Sequence, residues 1–315
     1  MKKTFLFLVF ACVAMLFSSC HKEGVFNPKK KISKIYTSSS YTFNGNTTTF
    51  DKTLSEEWTW NKNNTLAKID AHGSLSETTE TYTYDKKRVT RIDGVTTNTS
   101  GITGGGSYTY HIEFKYNGKE LSEASYYDGN ELQTKLTFTH QNGKISKIEL
   151  FEMDLKNMDK NIKAIHSILP EHLYANLEKM YKKRLSKSNT KGDATIIYEL
   201  TWDKNNISKA VCTAQWIEGY EKDIMEYKYD NYNNPFYGFL SPEMGEYSGA
   251  DYFSQNNITQ ITTQYQASDS DSEYESSTDI ENYTYTYEGK FPVSCTHTVN
   301  YSEGSYSTTT EYEYK

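Results

Sequence analysis

The chain has 315 residues, a net charge of -7 and an isoelectric point near 5.6. This acidic balance argues against nucleic acid as the main partner. Hydrophobic residues make up only 36% of the chain, below the ~45–50% usual for globular domains. However, 15% of the residues are aromatic, and Tyr and Trp bury large areas on a sheet surface. The composition therefore argues against a disordered chain.

The N-terminus has the pattern of a secretory signal peptide. Lys2 and Lys3 form a basic start, and residues 5–17 are a continuous apolar stretch. This stretch is too short to cross ~30 Å of hydrocarbon as a stable helix, and its length is typical of a signal-peptide apolar region. It ends just before Cys20. The alternative is a plain signal peptide in which this cysteine is incidental.

The residues before the cysteine, Phe17-Ser18-Ser19-Cys20, resemble the lipobox of bacterial lipoproteins, with Phe17 in place of the usual Leu. The resemblance implies cleavage after residue 19 and acylation of Cys20, with residues 20–30 as a lipidated tether.

His21-Lys22-Glu23 resembles the lysine-plus-acidic export signal of surface lipoproteins of the Bacteroidetes, with Gly24 where a second acidic residue is preferred. The resemblance implies an outer membrane lipoprotein exposed at the cell surface. A periplasm-facing position stays open, and the predicted partners are the membrane, reached through the lipid, and a glycan or protein ligand.

Residues 31–315 repeat one pattern, and we interpret them as a single domain. Each copy has an aromatic-x-aromatic step, then turn residues, then an aliphatic-x-x-aliphatic step. Period-two alternation of such residues is typical of strands, and Asn117-Gly118 and Asn142-Gly143 suit two-residue hairpin turns. The copies start at Trp58, Tyr82, Phe114, Phe138, Leu200, Tyr227, Tyr252 and Tyr285, with half copies at Ile32 and Tyr312.

This repetition predicts an all-β protein, an antiparallel meander of about 17–18 strands. Open twisted sheets rarely exceed ~10 strands, so the meander is expected to curl or to close into a barrel. One segment departs from the pattern, because Leu155, Met158 and Ile162 follow a helical spacing. We therefore predict an inserted helical hairpin at residues 152–188.

The step Tyr82-Thr83-Tyr84-Asp85 and its successor Ile92 resemble the YD-type repeats of Rhs-like proteins. Together with the lipobox, the repeats of residues 31–315 resemble a Bacteroidetes family of exported lipoproteins of unknown function with a porin-like fold. The resemblance implies a barrel and supplies no catalytic residues. Because the mean hydropathy is -0.77, we expect a water-soluble barrel with its apolar face inward, held by lipid and not spanning the membrane as a pore.

No known catalytic motif is present: HExxH, GxSxG and GxGxxG are all absent from the sequence. We accordingly predict no catalytic residues, no metal site and no cofactor. Cys212 and Cys295 remain after export, and their pairing stays open. The candidate binding surface consists of aromatic residues that break the repeat, where function is often added: Trp216, Tyr220, Tyr232, Tyr237 and Phe239.

These observations predict a lipid-anchored, non-catalytic protein of the cell envelope that binds a glycan or a protein partner or serves as a scaffold. The alternative hypothesis is a hydrolase that acts on extracellular polysaccharide through carboxylates that no motif identifies.

Overall fold

The computed structural model describes residues 23–74, 76–98, 106–151, 195–216, 219–241, 249–269, 272–301 and 304–315. The predicted signal peptide 1–19, the lipidation site Cys20 and the helical insertion 152–188 lie outside these described residues. The elements are β1 (Ile32–Phe43), β2 (Asn46–Trp60), β3 (Leu66–His72), β4 (Ser76–Asp85), β5 (Arg88–Asn98), β6 (Ser107–Asn117), β7 (Glu120–Asp128), β8 (Glu131–Gln141), β9 (Lys144–Phe151), β10 (Thr195–Asp203), β11 (Asn206–Trp216), β12 (Gly219–Tyr229), α1 (Ala250–Phe253), β13 (Ile258–Asp269), β14 (Ser272–Glu288), β15 (Phe291–Tyr301) and β16 (Gly304–Tyr314).

The strands form one closed antiparallel barrel in which each strand pairs with its neighbours in the sequence. The barrel closes where β1 pairs with β16, from Ile32 opposite Tyr314 to Phe43 opposite Gly304. The predicted all-β antiparallel meander is therefore confirmed, and of the two expected outcomes, curling or closing, the sheet closes.

The described residues contain sixteen strands, where the repeat pattern predicts about 17–18. The difference arises in residues 230–257, where two adjacent copies merge. The second arm of the copy that starts at Tyr227 is a loop, and the first arm of the copy at Tyr252 is the single helical turn α1. As a result β12 pairs directly with β13. In the described part of the chain no helix is long and apolar enough to cross a bilayer.

The two faces of the sheet differ in polarity. In strand β6, Tyr110, Ile112 and Phe114 are buried, while Glu113 between them and Lys115 after them are more exposed. The outer face carries cross-strand ion pairs, including Lys34–Glu57 at 3.1 Å, Arg91–Glu113 at 3.2 Å, Lys115–Glu123 at 2.7 Å and Lys209–Glu226 at 3.6 Å.

One end of the barrel is covered from within by two segments, and we call it the plugged end. A barrel of sixteen strands is too wide for its own strand side chains to fill. Residues 23–31, the N-terminal strap, and residues 230–241 and 249–257, the plug, supply the missing apolar groups. Phe26 and Phe239 pack together with ring centroids 5.1 Å apart, and Phe239 also lies 5.1 Å from the ring of Trp58.

Backbone hydrogen bonds fasten both segments to the turns of the plugged end. Val89 N donates to Gly24 O at 2.9 Å, Gln255 N to Asn205 O at 3.1 Å, and Asn233 N to Lys290 O at 3.0 Å. The described part of the predicted tether, residues 23–30, is thus seated against the barrel because Phe26 belongs to its core.

Candidate functional site

Carboxylates occur on the inner face at a fixed place relative to the aromatic pairs. In three strands an aromatic side chain donates a hydrogen bond to the carboxylate two residues before it, on the same face. Trp58 Nε1 donates to Glu56 at 2.6 Å, and Tyr82 Oη donates to Glu80 at 2.8 Å. Tyr283 Oη donates to Glu281 at 3.1 Å. These bonds hold the carboxylates in place where the inner wall changes from apolar to polar.

The basic side chains of the described strands lie on the outer face only, whereas carboxylates lie on both faces. The cross-strand registers place Glu56, Glu80, Asp223, Asp279 and Glu281 on the inner face. By the same registers, no Lys or Arg of the described strands lies on that face, and these side chains alternate onto the outer wall. The inner wall is therefore acidic, and a bound cation or neutral polar ligand meets no competing ammonium or guanidinium group from these strands.

A cavity of about 360 Å³ lies inside the barrel beneath the plug, between strands β2–β4 and β14–β16. Its volume is within the range of ligand pockets, which are mostly apolar with a few placed polar groups. The aromatic part of its lining consists of Trp58, Phe236, Phe239, Tyr283, Tyr285 and Tyr312. The polar part includes Glu56, Glu80, Asn234, Asp251, Asn257 and His297.

Asp251 and His297 line this cavity, and both His297 and Glu281 interact electrostatically with Asp251. His297 Nε2 lies 2.8 Å from Glu281 Oε2, and its ring stacks on Tyr283 with centroids 4.5 Å apart. Burial raises the pKa of Asp251 to about 6, with the charge of Glu281 acting in the same direction and His297 opposing it. Asp251 therefore exchanges a proton near pH 6, whereas an ordinary Asp is ionised there.

Exposed aromatic residues lie on the same face at the other end of strands β1, β2 and β16. Phe50 is 58% exposed, Tyr41 42%, Phe43 41% and Tyr306 36%. Tyr41 pairs with Tyr306 in the register and stacks on Phe43. We call these four residues the aromatic lip. From Tyr306 the inner face of β16 continues through Thr308 and Thr310 to Tyr312, all three of which line the cavity.

A second cavity of about 350 Å³ opens at the plugged end, between the strap, the plug and two turns. Glu23, Lys119, Lys144, Trp202 and Tyr237 contribute to its lining. The carboxylate of Glu23 accepts a hydrogen bond from Leu121 N at 2.5 Å and lies 3.0 Å from His140 Nε2. The chain therefore enters the barrel at this end through an ion-paired contact.

The structure places the five aromatic residues predicted to form a binding surface in different environments. Phe239 is only 5% exposed, because it lies at the centre of the core beneath the plug. Tyr237 is half-buried at the second cavity. Tyr232 stacks on Tyr287 with centroids 4.0 Å apart, and Lys290 lies over its ring at 5.1 Å.

The other two predicted residues lie far from these three. Trp216 ends β11 and Tyr220 lies at the start of β12, at the end of the barrel opposite the plug. The five residues therefore do not form one continuous surface. Three of them, Tyr232, Tyr237 and Phe239, belong to the plug. The interruptions of the repeat therefore mark the plug, whose aromatic side chains mostly pack inside the barrel.

The cavity carboxylates and the aromatic lip were not predicted from the sequence. A signal for the carboxylates is present, because Glu56, Glu80 and Glu281 each precede an aromatic pair by two residues and so share its face. The lip has a weaker signal, since Tyr41, Phe43 and Phe50 lie in a Ser- and Thr-rich stretch without the repeat pattern. Their exposure depends on how far the strands extend beyond the filled interior.

Cys212 and Cys295 are not joined by a disulfide. Cys212 lies on β11 and Cys295 on β15, and both side chains are buried on the inner face. Burial raises the pKa of Cys295 to about 12, which makes its thiol a poor nucleophile. Among the residues with a described position, no group of three or more His, Cys, Asp or Glu side chains is arranged to hold a metal ion.

Comparisons with known proteins give a similarity among solved structures. No family model matches the chain, and no curated protein matches it. Among solved structures, a porin-like protein from Bacteroides vulgatus ATCC 8482 aligns over 91% of this chain and 99% of its own, with 8% sequence identity and a TM-score of 0.36.

Proposed function

We propose that this chain is a lipid-anchored, non-catalytic protein of the bacterial outer membrane that binds a glycan on the inner face of its barrel. The observation that carries the proposal is the continuous path along β16 from the exposed aromatic lip to the cavity beneath the plug. A contiguous patch of exposed aromatic residues is typical of an interaction site, whereas apolar residues scattered singly over a surface are not.

The chemistry of the path suits a carbohydrate. The flat rings of Tyr41, Phe50 and Trp58 offer apolar faces against which the C–H face of a sugar ring packs. The carboxylate of Glu56 and the hydroxyl groups of Thr308 and Thr310 line the cavity and are of the types that form hydrogen bonds with sugar hydroxyl groups. A binding site with aromatic walls and a few fixed polar groups is the usual form of a small-molecule site.

The charge of the inner wall narrows the glycan class. Carboxylates at Glu56, Glu80 and Glu281 repel uronic acids and sulfated sugars, and no described strand supplies an inner Lys or Arg to offset them. Like-charge contacts of this kind give specificity by excluding the wrong partner. The proposed ligand is therefore a neutral or amino sugar chain.

The anchor is proposed from the sequence around Cys20. Acyl chains that bury many methylenes, at ~0.8 kcal/mol each, hold a protein on a bilayer when two or more are attached. The outer face supports an anchored barrel over a spanning one, because a spanning barrel turns an apolar band outward. Here that face carries pairs such as Lys34–Glu57 and Lys115–Glu123. Protease treatment of intact cells tests the proposed surface exposure.

A binding experiment tests the proposed ligand. The chain with Cys20→Ser is titrated calorimetrically with neutral, amino and uronic-acid oligosaccharides. We expect saturable binding of a neutral or amino sugar, weakened about tenfold by Tyr41→Ala and by Phe50→Ala, since truncating a central aromatic contact costs more than ~1 kcal/mol. Ile280→Ala is the matched control, because Ile280 is 47% exposed on the outer face.

The hydrolase alternative is favoured by one observation, the carboxyl of Asp251 with its pKa near 6 close to Glu281. A carboxylic acid with a raised pKa beside a second carboxylate is the arrangement that glycoside hydrolysis uses. The two functions are separated by product analysis. Binding without shorter products, retained in Asp251→Asn, supports the binding protein, whereas products that disappear in Asp251→Asn and Glu281→Gln support the hydrolase.

A further inference from the structure

The turns of the plugged end are rich in lysine. Outside the strands, the described residues at this end contain ten lysines and three acidic residues. The acidic residues are Glu23, Asp230 and Asp251, none of which is fully exposed. Eight of the lysines are exposed, namely Lys29, Lys62, Lys86, Lys87, Lys119, Lys204, Lys290 and Lys315. We call these eight residues the basic rim.

The neighbouring strand ends do not cancel this charge. Asp85, Glu120, Asp203 and Glu288 are the acidic residues there, and Arg88 and Lys144 are the basic ones. One of the four carboxylates, Glu288, is already paired with Lys30 at 3.1 Å. The described residues of the plugged end therefore carry a positive excess in a chain whose net charge is -7.

Two rim lysines occupy positions that favour other residues. Lys86 and Lys204 have φ values of +60° and +52° in their hairpin turns. Gly or Asn is the usual choice there, because a side chain with a Cβ strains this conformation. No ion pair in the described residues engages either lysine. Backbone strain that is retained at a lysine with no ion-pair partner indicates that the lysine side chain itself has a function.

The opposite end of the barrel has a different composition. Its described turns are Asn44-Gly45, Gly73-Ser74 and Gly129-Asn130, and none of them contains Lys or Arg. The aromatic lip lies at this end, on strands β1, β2 and β16. Among the turns that the structure describes, the lysines therefore lie at the plugged end, away from the aromatic lip.

The N-terminal strap ties the same end to the proposed anchor. Glu23 is fixed at the plugged end by Leu121 N and His140, and Gly24 O accepts from Val89 N. Two residues lie between Cys20 and Glu23, and the three Cα–Cα steps between them span at most about 10–11 Å. An acyl group on Cys20 would therefore hold the plugged end within that distance of the bilayer.

We propose that the plugged end is a docking surface for an anionic lipid bilayer, with the basic rim against the headgroups and the aromatic lip pointing away from the membrane. The proposal rests on the lipid anchor of the proposed function for its geometry and on the rim for its charge. Basic residues near an anionic surface attract it over about a Debye length, so the contact weakens as salt is raised.

Vesicle flotation of the full chain with Cys20→Ser tests the rim without the lipid. We expect binding to phosphatidylglycerol-containing vesicles at low salt and none to pure phosphatidylcholine. Replacing Lys62, Lys86, Lys119 and Lys204 by Gln should weaken binding about fivefold for each lysine removed. Equal binding to both vesicle types would overturn the proposal.

The matched control removes the same number of charges from the outer wall. It carries Lys115, Lys135, Lys222 and Lys228 changed to Gln, four positions that the strand registers place on the outer face. We expect this variant to keep most of the vesicle binding, while an equal loss in both variants would show a non-local charge effect and overturn the docking surface.

The acylated chain in proteoliposomes tests the orientation. A fluorophore is placed at Lys62→Cys, two residues past the end of β2, or at Asn46→Cys, the first residue of β2, a strand of 15 residues or about 50 Å. With a quencher on the lipid headgroups, we expect strong quenching at 62 and little at 46. The mass of the N-terminal peptide shows whether Cys20 is acylated. If it is acylated and both labels are quenched to a similar degree, the docking surface is overturned and the anchor stands.

If the acyl mass is missing but the chain still binds vesicles, the anchor alone is refuted.

Discussion

At the scale of single residues, one local hydrogen-bond pattern places aromatic side chains and carboxylates together on the inner face. A carboxylate two residues before an aromatic side chain receives its O–H or N–H, as in Glu56–Trp58 and Glu80–Tyr82. Tyr110 Oη also donates to Glu80 at 2.7 Å from a neighbouring part of the wall. A partly buried Tyr or Trp thereby satisfies its polar atom, which would otherwise cost free energy when removed from water. The carboxylate is at the same time held at the edge of the cavity.

The ion pair between Glu23 and His140 should make the stability of the barrel depend on pH. Burial lowers the pKa of His140, but the hydrogen bond and the charge of Glu23 raise it by more, so the net pKa is above its ordinary value. A histidine whose pKa is raised by folding stabilises the folded state fully at pH values below its pKa in the unfolded state, about 6.5. This stabilisation is lost as the pH rises through its pKa in the folded state.

We therefore expect Glu23→Gln to lower the free energy of unfolding by about 1–2 kcal/mol at pH 5.5 and by much less at pH 8.5. Denaturant unfolding at both values measures this difference. Glu123→Gln is the control, because Glu123 pairs with Lys115 and its effect should be nearly equal at the two values. A Glu23→Gln effect that does not change with pH would contradict the role of His140.

Gly94 permits a close cross-strand contact on the inner face. It pairs with Tyr110 in the register, and a Cβ at this position would overlap the Tyr110 ring. We expect Gly94→Ala to destabilise the fold by about 1–3 kcal/mol, because the ring must move away from Glu80. Thermal unfolding tests this against Val95→Ala, whose side chain is 43% exposed on the other face and should change little. A neutral Gly94→Ala would show that the ring has room to move.

At the scale of elements, the sequence predicts the hairpins well because their pattern is local. Each aromatic pair, turn and aliphatic pair lies within one hairpin, so the stretch from Trp58 to Ile69 predicts the turn and the paired ends of β2 and β3. The merged copies at residues 230–257 were missed for a physical reason. Tyr252-Phe253 has the aromatic signature of a strand, yet the barrel is too wide to be filled by its strands, and these rings are used as filler inside it.

The cavity was harder to predict than the strands. Side chains alternate between the two faces of a strand, so the sequence alone places Glu80 and Tyr82 on the same face. Two long-range features bring Glu56, Asp251 and His297 to one cavity, namely the pairing of β1 with β16 and the position of the plug. Both are long-range properties that no local pattern encodes.

The plug should contribute strongly to stability through Phe239. Its ring contacts Phe26, Trp58, Tyr82 and Tyr252. We expect Phe239→Ala to destabilise the fold by about 3–5 kcal/mol, since it leaves a cavity in a packed core. The same substitution at Phe50, which is 58% exposed, should cost less than about 0.5 kcal/mol. Denaturant unfolding of both variants measures the difference, and similar values would show that the plug does not pack as described.

At the scale of the whole molecule, the barrel has two different ends and two different faces. The plugged end holds the core, the strap and the basic rim, and the other end carries the aromatic lip of Tyr41, Phe43, Phe50 and Tyr306. This polarity connects the two proposals, because an anchor at the plugged end turns the lip toward the medium from which a glycan arrives. Both proposals require an enclosed interior, and the interior exists only if the first strand pairs with the last.

The most direct test of that closure is a disulfide between β1 and β16. Ser38 and Thr309 are register partners, and Cα atoms of paired strands lie about 4.5–5.5 Å apart, within the range that a disulfide bridges. In the chain with Cys20→Ser we expect Ser38→Cys with Thr309→Cys to oxidise to an intramolecular disulfide in high yield. Ser38→Cys with Ser305→Cys, four residues out of register, should not. Absence of the first disulfide, or its formation only between two chains, would contradict a closed barrel.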